Sequence, residues 1–253
     1  MKIYFSNLMP VITALLCALG VLSCSSLAIS KDAETERPIT WDAGFIMPDL
    51  LASAVEINQL SDLSLLLTIP WYAEIAVIQT GVGDLNFSSC KDYFEGSTPL
   101  TRTKKDNEMS AYLEFKIMCE ATRILLAAKS SQSTYLPNLI LSESLPTLWP
   151  KSVALQTSKN ESYRNAQDPE LKTWADISAT IKYDSVSSAK SIYHHDGGYQ
   201  ELDVVGRGDI DHDGIEDVLI VTRDHLEGGD YFNIRLFAFS VNKQNHWHLI
   251  NEI

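Results

Sequence analysis

Gly208-Asp209-Ile210-Asp211-His212-Asp213-Gly214-Ile215-Glu216-Asp217 runs directly into Val218-Leu219-Ile220-Val221. Counted from Asp209, carboxylates stand at loop positions 1, 3, 5 and 9, a glycine stands at 6 where the chain must turn sharply, and an apolar residue stands at 7 where a carbonyl can point inward. Hard oxygen donors in this arrangement suit calcium. Charge supports the same reading, because two carboxylates about 5 Å apart repel by roughly 3 kcal/mol at an effective dielectric near 20, and this loop gathers four. Without a cation the segment is an acidic surface turn that splays. The apolar run behind the loop has no polar face, as befits a strand in the middle of a sheet.

Outward from this strand, the hydrophobic period is two. Ile177, Ala179, Ile181 and Tyr183 alternate with polar residues, and Phe232, Ile234, Leu236 and Ala238 repeat the pattern. Gly197-Gly198 and Gly228-Gly229 supply turns. Residues 151–253 therefore read as a mainly antiparallel β-rich region of about five or six strands. Asp168-Pro169 offers an alternative start for a helix with Leu171, Trp174, Ala175 and Ser178 on one face.

Residues 41–150 read differently. From Asp49 to about Leu67, apolar residues recur at helical spacing until Pro70 and Gly81-Val82-Gly83 break the pattern. A stronger helix is expected from about Asn107 to Lys129, with Lys116, Glu120 and Arg123 along its wet side and Tyr112, Leu113, Phe115, Ile117, Met118, Ile124 and Leu125 over the rest. A short helical turn is expected around Lys91 to Phe94. The Pro-, Ser- and Asn-bearing stretch 137–167 connects the two parts. The fold class is thus α+β, a helical N-terminal half followed by a β-sheet half.

Composition narrows the function. Of 253 residues, 20 are Lys or Arg and 33 are Asp or Glu, a net charge of -13, so the long-range field repels phosphate backbones and no nucleic-acid partner is expected. Lys2 followed by the apolar run Val11 to Leu22 reads as a targeting segment, too short to span a bilayer. It ends Val21-Leu22-Ser23-Cys24, with Ser25 and Ser26 following, and this resembles the bacterial lipoprotein signal. The resemblance implies removal of residues 1–23, lipidation of Cys24, a tether over residues 24–40 and an outer-membrane address facing the periplasm. The membrane is then touched through the lipid anchor only. Plain secretion to the periplasm, with cleavage after Ala28, is the alternative.

With Cys17 removed and Cys24 lipidated, Cys90 and Cys119 remain as a pair in an oxidising compartment, and a disulfide is expected between them. Closing that loop restricts the unfolded chain by roughly 3 to 4 kcal/mol on the loop-entropy model.

The acidic loop lacks the bidentate Glu that an EF-hand carries at position 12, where Ile220 stands inside a strand. It resembles instead the Asp-x-Asp-x-Asp-Gly-x-x-Asp calcium loops of FG-GAP and VCBS-type repeats, known from integrin propellers. That resemblance implies Asp209, Asp211, Asp213 and Asp217 as side-chain ligands and Ile215 as a carbonyl ligand. It covers about 15 residues in a single copy, so no propeller follows from it.

Other signals carry less. Arg207-Gly208-Asp209 spells the adhesion tripeptide, but its aspartate is the first loop ligand. His246 and His248, and His194-His195-Asp196, lack the further ligands that a zinc site needs. Ser88-x-x-Lys91 and Ser187-x-x-Lys190 match serine–lysine spacing without the companion motifs of those enzymes. No catalytic residue is assigned. The expectation is a calcium-stabilised binding module on the envelope with an unknown protein partner, one form of which is an inhibitory or immunity-like role toward a basic envelope-directed protein. The competing expectation is a calcium-dependent hydrolase of envelope polymers.

Overall fold

The computed structural model describes residues 36–42, 50–178, 180–229 and 231–253. The signal segment 1–23, Cys24 and residues 25–35 of the tether lie outside the described residues. Glu34–Ile253 form one compact unit.

Six strands make an antiparallel meander: β5 (Lys182–Ser185), β6 (Lys190–His195), β7 (Gly198–Gly208), β8 (Asp217–Leu226), β9 (Phe232–Val241) and β10 (Trp247–Glu252), in the order β10-β9-β8-β7-β6-β5. A two-residue strand, β1 (Thr40–Trp41), adds to β7 opposite Arg207 and Gly206, a stretch of β7 that β6 does not reach. Strand β8 is central and its alternation divides the core. Leu219 and Val221 join one hydrophobic cluster with Val205, Ile234 and Leu236; Val218 and Ile220 join another with Leu202, Phe237 and Phe239.

The first face is covered by α2 (Met109–Ala127), which buries Phe115, Ile117, Met118, Ala121 and Leu125. At Gly206, a Cβ would come within 2.6 Å of Leu125 Cδ2, so the absence of a side chain lets the end of α2 settle on the sheet. The opposite face is covered by residues 140–154, with α3 (Leu145–Leu148) at their centre, and by α5 (Trp174–Ile177); Trp149 stacks on Phe239 with ring centroids 4.3 Å apart. Cys90 and Cys119 are bonded, joining α1 (Cys90–Gly96) to α2 with both residues fully buried.

Four expectations are corrected. The N-terminal half also holds a three-stranded antiparallel sheet of β2 (Ile75–Gln79), β3 (Gly83–Phe87) and β4 (Arg102–Thr103). Gly81 and Gly83, both at positive φ, shape the β2–β3 hairpin rather than merely ending a helix. The expected helix 49–67 is a 3-10 helix at Leu60–Leu67, begun by a reciprocal Gln59–Asp62 cap, and its buried residues Leu63 and Leu66 stand three apart, which matches three residues per turn. Glu120 is buried instead of wet: it accepts a 2.8 Å hydrogen bond from the Tyr93 hydroxyl and pairs with Arg123. Finally, the stretch read as a strand from Ile177 begins with α5, capped by Thr173 and Asp176, and pairing starts only at Lys182, while Asp168 ends α4 (Lys159–Gln167) instead of opening a helix.

Candidate metal centre

The acidic loop bridges β7 and β8. Gly214 has φ 87° and His212 φ 68°, the left-handed backbone that folds the chain back within a few residues. Each aspartate then spends one oxygen on the loop's own backbone. Asp217 Oδ2 accepts from Ile210 N at 2.8 Å, Asp209 Oδ2 from Gly214 N at 3.1 Å, Asp211 Oδ1 from Asp213 N at 3.2 Å and Asp213 Oδ1 from Ile215 N at 2.7 Å.

The consequence is what remains. Asp209 is 4% exposed and Asp217 wholly buried, and the Oδ1 atom of each is buried without a hydrogen bond. One ligand atom from each of Asp209, Asp211 and Asp217 lies within 4.8 Å of the others, so the three can hold a metal ion. Asp213 is exposed and does not join this triad. Ile215 follows the turn and pairs with Ser133. Burial pushes the Asp217 carboxyl up to about 6, the charge of Asp211 acts in the same direction, and the nearby Ser240 hydroxyl and Ile210 amide hold it down. Two buried, unpaired carboxylate oxygens are expensive unless a positive charge joins them.

A second buried aspartate shows what compensation looks like. Asp224, also on β8 and wholly buried, lies 3.1 Å from the Arg235 guanidinium and accepts from Gln200 Nε2 at 2.7 Å. Arg235 reaches on to the carbonyls of Val153 at 2.9 Å and Ala154 at 3.0 Å, tying the far-side cover to the sheet. Nothing comparable stands at Asp217, and among the described residues no Lys or Arg forms an ion pair with any aspartate of the loop. A donor set made only of oxygen, with two buried oxygens left over, fits a hard divalent cation.

The loop sits against the segment that leaves α2. Asp209 and Lys129 exchange both backbone hydrogen bonds, at 3.0 and 2.9 Å, and Gly214 O accepts from Gln132 N at 2.8 Å. Alongside lies an open cavity of about 590 Å³ lined by Glu36, Lys129, Gln132, Asp209, His212 and Asp213. The sequence shows no period or motif that marks residues 127–133 as partners of the loop.

The remaining residues singled out from the sequence fall elsewhere. Burial of Asp209 removes the adhesion tripeptide from partners. His194 pairs with Asp184 at 3.0 Å, His195 packs against Trp174, and His246 and His248 are exposed. Ser88 bonds Asp92 at the start of α1 while Lys91 faces Glu95. Among the described residues no helix is long and apolar enough to cross a membrane. No family model matches the chain, and neither does any curated protein or solved structure.

Proposed function

We propose that this chain is an envelope lipoprotein, anchored through Cys24, whose sheet carries a calcium-stabilised binding module. The observation that carries the calcium reading is the pair of buried oxygens without a hydrogen bond on Asp209 and Asp217, two aspartates that cluster with Asp211 and that no Lys or Arg among the described residues pairs with. FG-GAP-like loop chemistry accounts for the donor order, and an affinity around 10⁻⁴ to 10⁻³ M suits a compartment open to the outside. The disulfide agrees with an oxidising compartment. His212, the histidine in the loop, has its Nε2 3.0 Å from the carbonyl of Ala127, which favours a structural over a catalytic role for the ion. An acidic surface speeds encounter with a basic partner, so an immunity-like role toward a basic envelope-directed protein is the interaction the charge supports.

Calorimetric titration of the mature chain with calcium is expected to give one binding event, absent in Asp217→Asn; no heat and no thermal shift in the wild type overturns the metal reading. Cys24→Ala is expected to leave the chain unacylated and soluble; unchanged membrane retention overturns the anchor. Pull-down from envelope extract with and without chelator tests the module, and recovery of no partner in either condition counts against it.

One observation favours a second reading, a hydrolase of envelope polymers. Glu161 and Glu252 line a cavity of about 270 Å³ on the far-side cover, and burial raises the Glu252 carboxyl, as acid catalysis requires of one member of a pair. Calcium would be structural there too. Release of reducing ends from cell-wall polymer, abolished in Glu252→Gln, is the result that would install this reading.

A further inference from the structure

Three segments distant in sequence meet at the loop. His212 Nε2 lies 3.0 Å from the carbonyl of Ala127, the last residue of α2. Beyond it Lys129 pairs with Asp209, Gln132 and Ser133 donate to Gly214 O, and Glu216 N donates to Ser133 O at 2.8 Å. The other side of this segment is taken as well: Ser131 and Arg37 exchange hydrogen bonds of 2.8 and 2.9 Å, and the chain then continues into β1 on β7. Residues 127–133 are therefore held between the loop and the N-terminal strand, by backbone hydrogen bonds and with few apolar contacts of their own.

These contacts depend on the shape of the loop. Gly214 O and Asp209 O point at segment 129–133 only while the turn at His212 to Gly214 is closed, and the carboxylates that close it are the ones that repel when no ion is present. The strands behind the loop, and with them Ile39 and Trp41 of the N-terminal segment, are held by the hydrophobic clusters on either face of β8.

We propose that the cation works as a clasp: its binding locks residues 127–133 onto the loop and, through Ser131, onto Arg37, and its release frees that segment while β7, β8 and β9 stay folded. This deepens the calcium reading and rests on it.

Amide exchange of the full mature chain tests the clasp. In saturating calcium the amides of Arg37, Lys129, Ser131, Gln132, Ser133 and Glu216 are expected to be protected. If opening requires loss of the ion, their protection scales with one plus the ratio of calcium concentration to Kd, about a hundredfold at one hundred times Kd. In chelator they are expected to exchange at least a hundredfold faster than Ile220 and Leu236, which keep their protection. Asp211→Asn, at an exposed position, is expected to reproduce the chelated pattern without chelator. Retention of protection in chelator, or loss at Ile220 and Leu236 together with the rest, overturns the clasp. Calorimetry on the same sample separates the two failures: no heat removes the ion itself, whereas heat without selective exchange removes only the clasp.

Discussion

Strand β8 begins with one wholly buried aspartate and carries another near its far end, and their surroundings differ. Asp224 has its cation in the chain: Arg235 on the neighbouring strand, oriented by the carbonyls of Val153 and Ala154. Asp217 has backbone amides and the Ser240 hydroxyl beside it, one oxygen left without a hydrogen bond, and no cation from the chain. A covalently supplied cation makes a permanent fastening between sheet and cover. On the proposed calcium reading, a dissociable one makes the fastening at Asp217 conditional on what the surroundings contain, and the same strand then holds a fixed end and a switchable end.

The largest effect is expected at the fixed end. Arg235→Met leaves Asp224 buried without its partner and should lower stability by about 3 to 5 kcal/mol, measured by urea unfolding, with the same loss in calcium and in chelator. A loss that depended on calcium would erase the distinction between the two ends. At the switchable end, calcium at one hundred times Kd should stabilise the wild type by about 2.7 kcal/mol and leave Asp217→Asn unmoved. In chelator the order should reverse, Asp217→Asn being the more stable because it removes a buried, repelled charge. Equal stability of the two proteins in chelator would mean that the loop carries no such repulsion.

Acid sharpens the comparison, since it acts near Asp224. Gln200, bonded to Asp224, also neighbours His195, and burial pushes that imidazole down to about 4 from an ordinary 6.5. Between those values the unfolded chain holds the extra proton and the native one does not, so the stability contributed by His195 should fall as pH drops from 6.5 to 4 and should not change above 6.5, while the Asp217 carboxyl, raised to about 6, acts in the opposite sense when no cation is bound. The loss attributable to His195 is about 2 kcal/mol after allowing for its partial exposure, and His195→Phe should flatten that part of the profile in thermal melts. The smallest effect is expected where both partners are wet. Lys104 and Asp84 pair at 2.5 Å on the surface, and Lys104→Ala should change the unfolding free energy measured in urea by only a few tenths of a kcal/mol.

How far these features could be read from the sequence depends on whether the interaction is local. The loop was legible because its donors, its glycine and its strand are contiguous, and Asp209, Asp211 and Asp217 do gather. Asp213 stands exposed beside them, one oxygen closing a turn onto Ile215. The meander was legible from alternation and paired glycines, and α2 from its apolar faces. What escaped was set by partners far along the chain. Glu120 has a place in the helical period that reads as solvent-facing, yet Tyr93 arrives from α1 to bury it. Arg235 interrupts the apolar run Ile234 to Ala238, a hint of a buried charge, but spacing alone could not join it to Asp224, which stands among polar neighbours. The 3-10 helix was missed because leucines at intervals of three and four suit an α-helix equally well until the cap at Gln59 sets where the turn begins.

The two outermost strands of the large sheet have a bearing on how this protein tolerates crowding. Strand β5 is four residues long, with Lys182 and Asp184 among them, and β10 carries a register irregularity between Leu249 and Asn251 before ending at Glu252. Short, charged or kinked margins are poor templates for another chain's backbone. A meander that never closes into a barrel can therefore remain dispersed at high local concentration, without a partner to shield its flanks.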